Sequence, residues 1–244
     1  MRNRTGLTAR QQAALNGAWH GVSEGMDIDA VPGMVPDARR RQLLTAAAAS
    51  TLLSWAAPAN AAVEMEGVEL PETVTAYGQK LVLNGAGVRK RGYFKADVTA
   101  LYLPEKRTTA ESIYKLNGVR RIQLNILREF GSSTISRIFL ADFKQSANDE
   151  EFKRLIGPIG QIGAAYGNVK KVVKGDIVNL DWVPGVGWMA TLNGKPLTTD
   201  GGATLAINDE LAYQVYLRMY IGPAAPDELR NGLLGLTKLP RNND

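Results

Sequence analysis

Hydrophobic and polar residues alternate along much of the chain from residue 68 onward, and this period of two is typical of β-strands. In the clearest stretch, 93–103, one face carries Lys95, Asp97 and Thr99. The opposite face carries the apolar residues Phe94, Ala96, Val98, Ala100 and Tyr102. Similar patterns predict strands at 68–76, 79–89, 122–126, 177–183 and 188–192. Asn193-Gly194 predicts a two-residue hairpin turn that leads into a last strand at 195–197.

Other stretches show the helical period of 3.6 residues. The segment after Gly131 can be capped by Ser132 or Ser133, and its apolar residues at helical spacing are Ile135, Ile138, Phe139 and Phe143. Helices are also predicted at 108–116, from 148 onward with an interruption at Gly157-Pro158, at 209–220 and at 226–234. Strands outnumber helices and follow one another through hairpins. We therefore predict an α+β fold in which helices cover one face of a large antiparallel sheet.

The first 61 residues have the pattern of a leader. Residues 1–38 are polar and show no period, and Arg39-Arg40-Arg41 then precedes an apolar stretch at 43–57 that ends in Ala59-Asn60-Ala61. A basic segment, a short apolar segment and small residues predict an export signal cleaved after Ala61, with a mature domain at 62–244. An uncleaved anchor and a buried core helix are the alternatives. The mature form is predicted to have no integral membrane span.

The export route and the start of translation stay open. Arg40-Arg41 followed by Gln42 fits a twin-arginine signal, and the general secretory route is the alternative. Met34 is an alternative start that would shorten the leader. On either route, we expect the protein to be periplasmic or secreted.

Composition narrows the chemistry of the mature domain. The chain of 244 residues has no cysteine, and its one histidine, His20, lies in the leader. A mature domain without His or Cys excludes Ser-His-Asp and Cys-His catalysis and histidine or thiolate metal sites. We expect no metal and no cofactor. The net charge of +5 is spread along the chain without a basic stripe, so we expect no nucleic-acid partner.

Several motifs together resemble a known family. Leu83-Asn84-Gly85-Ala86-Gly87-Val88-Arg89, then Phe94-Lys95 and Ala100-Leu101-Tyr102-Leu103-Pro104-Glu105, resemble the N-terminal signature of chalcone isomerase-like proteins. The resemblance continues through Lys174-Gly175-Asp176, Leu192-Asn193-Gly194 and Tyr220-Ile221-Gly222 and covers about residues 68–235. It implies an open-faced sandwich with a ligand cleft between sheet and helices. Plant enzymes of this family cyclise a 2′-hydroxychalcone, and its plastid members bind fatty acids.

The resemblance also implies site residues. Arg89 matches the arginine that is the main electrostatic group of the enzymes and the carboxylate anchor of the lipid binders, although it could instead form a structural ion pair. Asp97 stands at a position that carries a hydroxyl in the family, Thr134 matches the enzymes' helix tyrosine and Ala141 their asparagine. Tyr102 and Thr134 join Arg89 and Asp97 as predicted ligand contacts. Most of the hydrogen-bonding side chains that the enzymes carry at these positions are therefore missing here, which argues against chalcone cyclisation.

The sequence leaves three interpretations of Asp97 open. It could neutralise Arg89 as a structural pair, act as a base in an isomerase-type reaction, or point elsewhere. A carboxylate beside Arg89 opposes a second anion in the site and thus weakens a simple fatty-acid anchor. A pairing arginine also lowers the pKa of a carboxyl group, which disfavours a role as base at neutral pH.

Other notable residues have structural interpretations. Tyrosine and methionine at helical spacing favour core packing over a cofactor site; these residues are Tyr213, Tyr216, Met219 and Tyr220. Trp182 and Trp188 flank a turn and predict hairpin packing. The glycines at 157, 160, 163 and 167 lack the Gly-Lys-Ser/Thr of a phosphate-binding loop.

We predict that the exported domain binds a small hydrophobic or amphipathic, fatty-acid-like molecule in its cleft. An isomerase or intramolecular lyase acting on an enone-like substrate is the alternative, with Arg89 as its catalytic residue. An interaction module whose cleft is filled by its own side chains is a third reading. The sequence does not indicate an oligomeric state.

Overall fold

The computed structural model describes residues 62–240. The strands in chain order are β1 (Ala62–Met65), β2 (Val68–Pro71), β3 (Thr73–Ala76), β4 (Gln79–Arg91), β5 (Phe94–Leu103), β6 (Arg120–Ile126), β7 (Phe130–Gly131), β8 (Lys171–Val172), β9 (Ile177–Val183), β10 (Gly187–Leu192), β11 (Lys195–Pro196) and β12 (Ala206–Ile207). The helices are α1 (Ala110–Tyr114), α2 (Ser132–Ser146), α3 (Asp149–Arg154), α4 (Ile156–Gly167), α5 (Glu210–Ile221) and α6 (Asp227–Leu233). The predicted leader, cleavage site and alternative start lie outside these residues.

The main sheet is antiparallel throughout. Its strand order is β11-β10-β9-β6-β5-β4-β3, and β12 also pairs with β10. Hairpins connect β3 to β4, β4 to β5 and β9 to β10. Asn193 and Gly194 have φ values of 50° and 77°, so the predicted tight turn forms between β10 and β11. The predicted α+β architecture, a large antiparallel sheet overlaid by helices, is confirmed.

Two hydrophobic clusters stabilise the two faces of the sheet. On one face, helices α2, α4 and α5 overlie β6, β9 and β10, where Ile122, Leu180 and Trp188 are buried, and α6 packs on β4. On the other face, the separate β1–β2 hairpin contributes Val63 and Leu70 to a smaller cluster that covers β4 and β5. The long strands are therefore covered on both sides where these clusters meet them.

The Gly-Ala-Gly motif is part of strand β4, within the strand predicted at 79–89. Gly85 and Gly87 lie on the face that meets helix α6. A Cβ added at Gly85 would stand 2.1 Å from the Gly232 carbonyl oxygen, and one at Gly87 would stand 3.1 Å from Cδ1 of Leu229. Asn84 also donates a 2.7 Å hydrogen bond to the Leu233 carbonyl. The motif thus lets the backbone of α6 lie directly on the strand.

A β-bulge interrupts the alternation in β5. Arg89 pairs with Asp97, but the next pair joins Lys90 to Lys95, so Ala96 has no partner on β4. The extra residue changes the facing of side chains on either side of it. The single apolar face predicted for 93–103 is therefore wrong at Ala96, which lies beside Asp97 on the side of the helices.

Two helix boundaries differ from the predictions. The N-cap of α2 is Gly131, without a side-chain hydrogen bond, so neither Ser132 nor Ser133 caps it. The helix beginning after Asn148 is interrupted at Leu155, because Gly157 and Pro158 fall in the first turn of α4. Proline is tolerated there since the first backbone N–H groups of a helix have no intrahelical acceptor. Within residues 62–240, none of the helices has the length and hydrophobicity of a transmembrane segment.

Candidate functional site

A cavity lies between the sheet and the overlying helices. Its volume is about 90 Å³. Its walls are mostly aliphatic and aromatic: the sheet contributes residues such as Leu124 and Val178, helix α2 contributes Ile138 and Phe139, and α5 contributes Met219. Such walls suit an apolar ligand.

The polar end of the cavity is built around Arg89. Its side chain reaches this end because Gly85, Gly87 and Arg89 alternate onto one face of β4, and α6 covers only the two glycines. Arg89 Nε and Nη2 lie 2.8 Å and 2.7 Å from the same oxygen, Oδ2 of Asp97. Thr99 donates a 2.6 Å hydrogen bond to the other carboxylate oxygen. Arg89 and Asp97 are direct cross-strand partners on β4 and β5, and this pairing brings the carboxylate under the guanidinium.

Solvent has little access to the Arg89–Asp97 pair. The Asp97 side chain is 1% exposed and that of Arg89 16%. Burial alone would lower the pKa of Arg89, but Asp97, with smaller contributions from Tyr220 and Tyr216, more than offsets this and raises it above the usual value. The guanidinium therefore stays charged at every accessible pH. The structure therefore shows the Arg89–Asp97 ion pair, which was one of the three interpretations of Asp97.

Two tyrosines of α5 complete the polar end. The hydroxyls of Tyr216 and Tyr220 are 2.7 Å apart, and Arg89 lies with its Cζ 5.4 Å from the Tyr220 ring centre. Arg89 Nη1 makes only a long contact, 3.5 Å, with the Tyr220 hydroxyl. Burial raises the pKa of Tyr216, Tyr220 and the nearby Tyr166, so these groups remain protonated donors at neutral pH.

A second ion pair lies at the edge of the cavity. Arg91, two residues after Arg89, lines the cavity and forms a two-pronged salt bridge with Asp142 of α2. Both cations that line the cavity are therefore paired with a carboxylate, and the cavity carries no excess charge.

The family can now be assigned. A sequence profile described as chalcone isomerase-like matches residues 62–235. The chain belongs to this family. A search of curated protein sequences finds no significant match.

A solved structure agrees with the chalcone isomerase-like assignment at the level of the fold. The crystal structure of a fatty-acid binding protein from Arabidopsis thaliana superimposes with a TM-score of 0.54 and 14% sequence identity. The match covers 72% of this chain and 96% of the plant chain. At this identity, the likeness shows a shared fold.

Two of the four predicted site residues of this chalcone isomerase-like chain lie at the cavity, and two do not. Arg89 and Asp97 line its polar end. Tyr102 faces the other side of the sheet, where its hydroxyl donates to the Pro71 carbonyl at 3.1 Å. Thr134 lies in the first turn of α2 and does not line the cavity, whereas the next residue, Ile135, does. Tyr102 and Thr134 therefore cannot contact a ligand in this cavity. Tyr102 lies on the other face of its strand, and the rotation of α2 directs Ile135 to the cavity in place of Thr134.

The tyrosines at the polar end of the cavity were not among the predicted site residues. Tyr213, Tyr216, Met219 and Tyr220 do belong to the core, as predicted, but Tyr216, Met219 and Tyr220 also form the cavity wall. The available signal was two tyrosines four residues apart on one helix face, since this spacing lets their hydroxyls meet. Tyr166 gave no such signal, because its helix is rich in glycine and alanine.

The remaining candidates have structural roles. Trp182 and Trp188 pack in the β9–β10 hairpin, as predicted, where they stand directly opposite each other, and both also contact Tyr213. The four glycines noted above belong to helix α4. In residues 62–240, no group of three or more His, Cys, Asp or Glu side chains is placed to hold a metal ion.

Proposed function

We propose that this chalcone isomerase-like protein binds a small hydrophobic or amphipathic molecule in the cavity between its sheet and helices. The observation that carries the proposal is the form of the cavity, an apolar space that ends in one guanidinium and a pair of tyrosine hydroxyls. A fatty-acid-like molecule, with a long apolar body and a single polar end, matches this division. The fatty-acid binding protein with the same fold supports the proposal by analogy.

Binding is tested with the full chain and a cavity-filling variant. An uncharged polarity-sensitive dye, Nile red, reports occupancy of the cavity, and native mass spectrometry of the protein purified from its own host reports a co-purified molecule. Ile138→Trp places an indole in the cavity, so we expect it to weaken dye binding by about tenfold or more. Leu140→Trp is the matched control, because Leu140 lies on the same helix and is 46% exposed.

Two results would contradict the proposal. Wild-type protein that binds neither the dye nor any lipid, and carries no molecule from its host, would show that the cavity is not used. Equal loss of binding in Ile138→Trp and Leu140→Trp would show that the molecule binds outside the cavity.

An isomerase or intramolecular lyase of the chalcone isomerase type is the second candidate. The observation that favours it is the cluster of donors at the polar end, because Arg89 and a tyrosine hydroxyl can stabilise the enolate that forms when an oxygen adds to an enone. Asp97 does not favour a base role, since Arg89 and Thr99 occupy its two oxygens. The test is cyclisation of 2′-hydroxychalcone, and a rate no higher than the spontaneous one would remove this candidate.

The proposed place of action is the periplasm or the cell exterior, and its support is the leader pattern in residues 1–61. We expect fractionation of the host to recover a shortened protein whose first residue is Ala62. Replacement of Arg40 and Arg41 by lysine tests the twin-arginine route, because that route depends on the arginine pair. A full-length protein in the cytoplasmic fraction would contradict export.

A further inference from the structure

The polar end of the cavity has unused hydrogen-bond donors but no unbalanced charge. Arg89 directs Nε and Nη2 at one oxygen of Asp97 and leaves Nη1 with only the long 3.5 Å contact to Tyr220. The Tyr216 and Tyr220 hydroxyls share one hydrogen bond, so one of their two protons is free to be donated elsewhere. Both oxygens of Asp97 accept hydrogen bonds from Arg89 or Thr99, and its side chain is only 1% exposed, so a ligand gains little from it. A ligand that reaches this end therefore meets donors.

The charges at the polar end of the cavity decide which kind of acceptor group a ligand can place there. A carboxylate would lose its water, and the attraction of Arg89 would be largely cancelled by Asp97, which lies on the other side of the same guanidinium and is 1% exposed. The second cation at the cavity, Arg91, is likewise neutralised by Asp142. A carbonyl or hydroxyl oxygen costs far less to desolvate and needs only the donors that Nη1 and a tyrosine hydroxyl provide.

We propose that the cavity selects amphipathic ligands whose polar end is an uncharged oxygen, such as an alcohol, ketone or ester, over those with an ionised carboxylate. This inference rests on the proposed binding function and gives it a ligand class. The buried Asp97 is the residue that excludes the anion, because it neutralises the only guanidinium in contact with the tyrosine pair among the described residues.

The test compares ligands with the same chain length. Dodecanol, methyl dodecanoate and dodecanoate compete with Nile red for the full-length protein at about pH 8, where a carboxylic acid is ionised. We expect at least one neutral ligand to bind about tenfold tighter than dodecanoate. Dodecanoate binding as tightly as, or tighter than, both neutral ligands would overturn the inference and leave the binding function intact. No competition by any of the three would count against the binding function itself.

Asp97→Asn tests the cause. The amide keeps the size of the side chain and an acceptor for Thr99 but removes the charge, so the preference should shift toward dodecanoate by about tenfold. Asp181→Asn is the matched control, because Asp181 is also 1% exposed and forms a buried pair with Arg121, on the sheet face away from the cavity. An unchanged preference in Asp97→Asn, or the same shift in Asp181→Asn, would refute the role of Asp97. The wild-type comparison decides the ligand class even if Asp97→Asn does not fold.

Discussion

Gly85→Ala probes the contact that places Arg89 at the cavity. Gly85 lies under the last helix, where a methyl group would stand 2.1 Å from the Gly232 carbonyl oxygen and 2.7 Å from that of Leu233. Both atoms belong to the backbone, so no side-chain rotation relieves the overlap. Helix α6 would have to move away from β4 by about 1 Å, which also strains the 2.7 Å hydrogen bond from Asn84 to Leu233.

The expected loss of stability follows from these contacts. Overpacking of this kind costs about 1–3 kcal/mol, and weakening of a buried hydrogen bond costs about 1 kcal/mol. Alanine restricts the unfolded chain more than glycine does, which returns about 0.4–1 kcal/mol. We therefore expect the free energy of unfolding to fall by about 2–3 kcal/mol, which corresponds to about 5–10 °C in Tm for a domain of this size.

Two further variants serve as comparisons in urea unfolding followed by circular dichroism. Gly87→Ala should cost less, because its nearest neighbour is the movable end of the Leu229 side chain at 3.1 Å. Gly163→Ala, in the middle of α4 with open space around it, should gain up to about 1 kcal/mol from helix propensity. A Gly85→Ala loss below about 1 kcal/mol, or no larger than that of Gly87→Ala, would refute the close-approach argument.

Three other predictions concern buried and charged groups. Arg89→Met leaves Asp97 buried without its cation and should cost about 3–5 kcal/mol in urea unfolding, part of which Arg89→Met/Asp97→Asn should restore; a double variant less stable than the single one would contradict this. The hydrogen bond from Arg218 lowers the pKa of Glu151 below its usual value, so Glu151 stabilises the fold above the unfolded-state pKa and loses this effect as pH falls through the folded-state value. The stability difference between wild type and Glu151→Gln should therefore shrink in acid, and a constant difference from neutral pH to about pH 3 would exclude it. Burial raises the pKa of Tyr114 from 10.0 to about 12, so the protonated hydroxyl stabilises the fold below about pH 10 and this effect is lost as the pH rises toward 12. Tyr114→Phe should therefore unfold less readily than the wild type in alkali, and equal alkaline unfolding of the two proteins would argue against this prediction.

The local elements were predictable because short-range rules govern them. The alternation in 177–183 and 188–192 marks half-covered strands, and Asn193-Gly194 adopts the positive φ values that its turn requires. The motif around Gly85 and Arg89 indicated the family, which the sequence profile shows, and an arginine that the structure places at the cavity. The close approach of α6 to these glycines was not predictable, because a glycine that admits a helix looks the same in sequence as one that bends the chain.

The site itself was decided by tertiary structure. The period of two predicts that Tyr102 and Asp97 lie on opposite faces of the strand, but it does not predict which face meets the helices. The bulge at Ala96 also breaks the alternation for the residues before Asp97. The pairing of the Tyr216 and Tyr220 hydroxyls beside Arg89 depends on how α5 is rotated over the sheet. The amino-acid sequence by itself determined the long strands of the main sheet, the tight turn, the family motif and the absence of His and Cys after residue 61. Only the packing of helices on the sheet decided which side chains share the cavity, because contacts between residues more than a hundred positions apart follow from the fold as a whole.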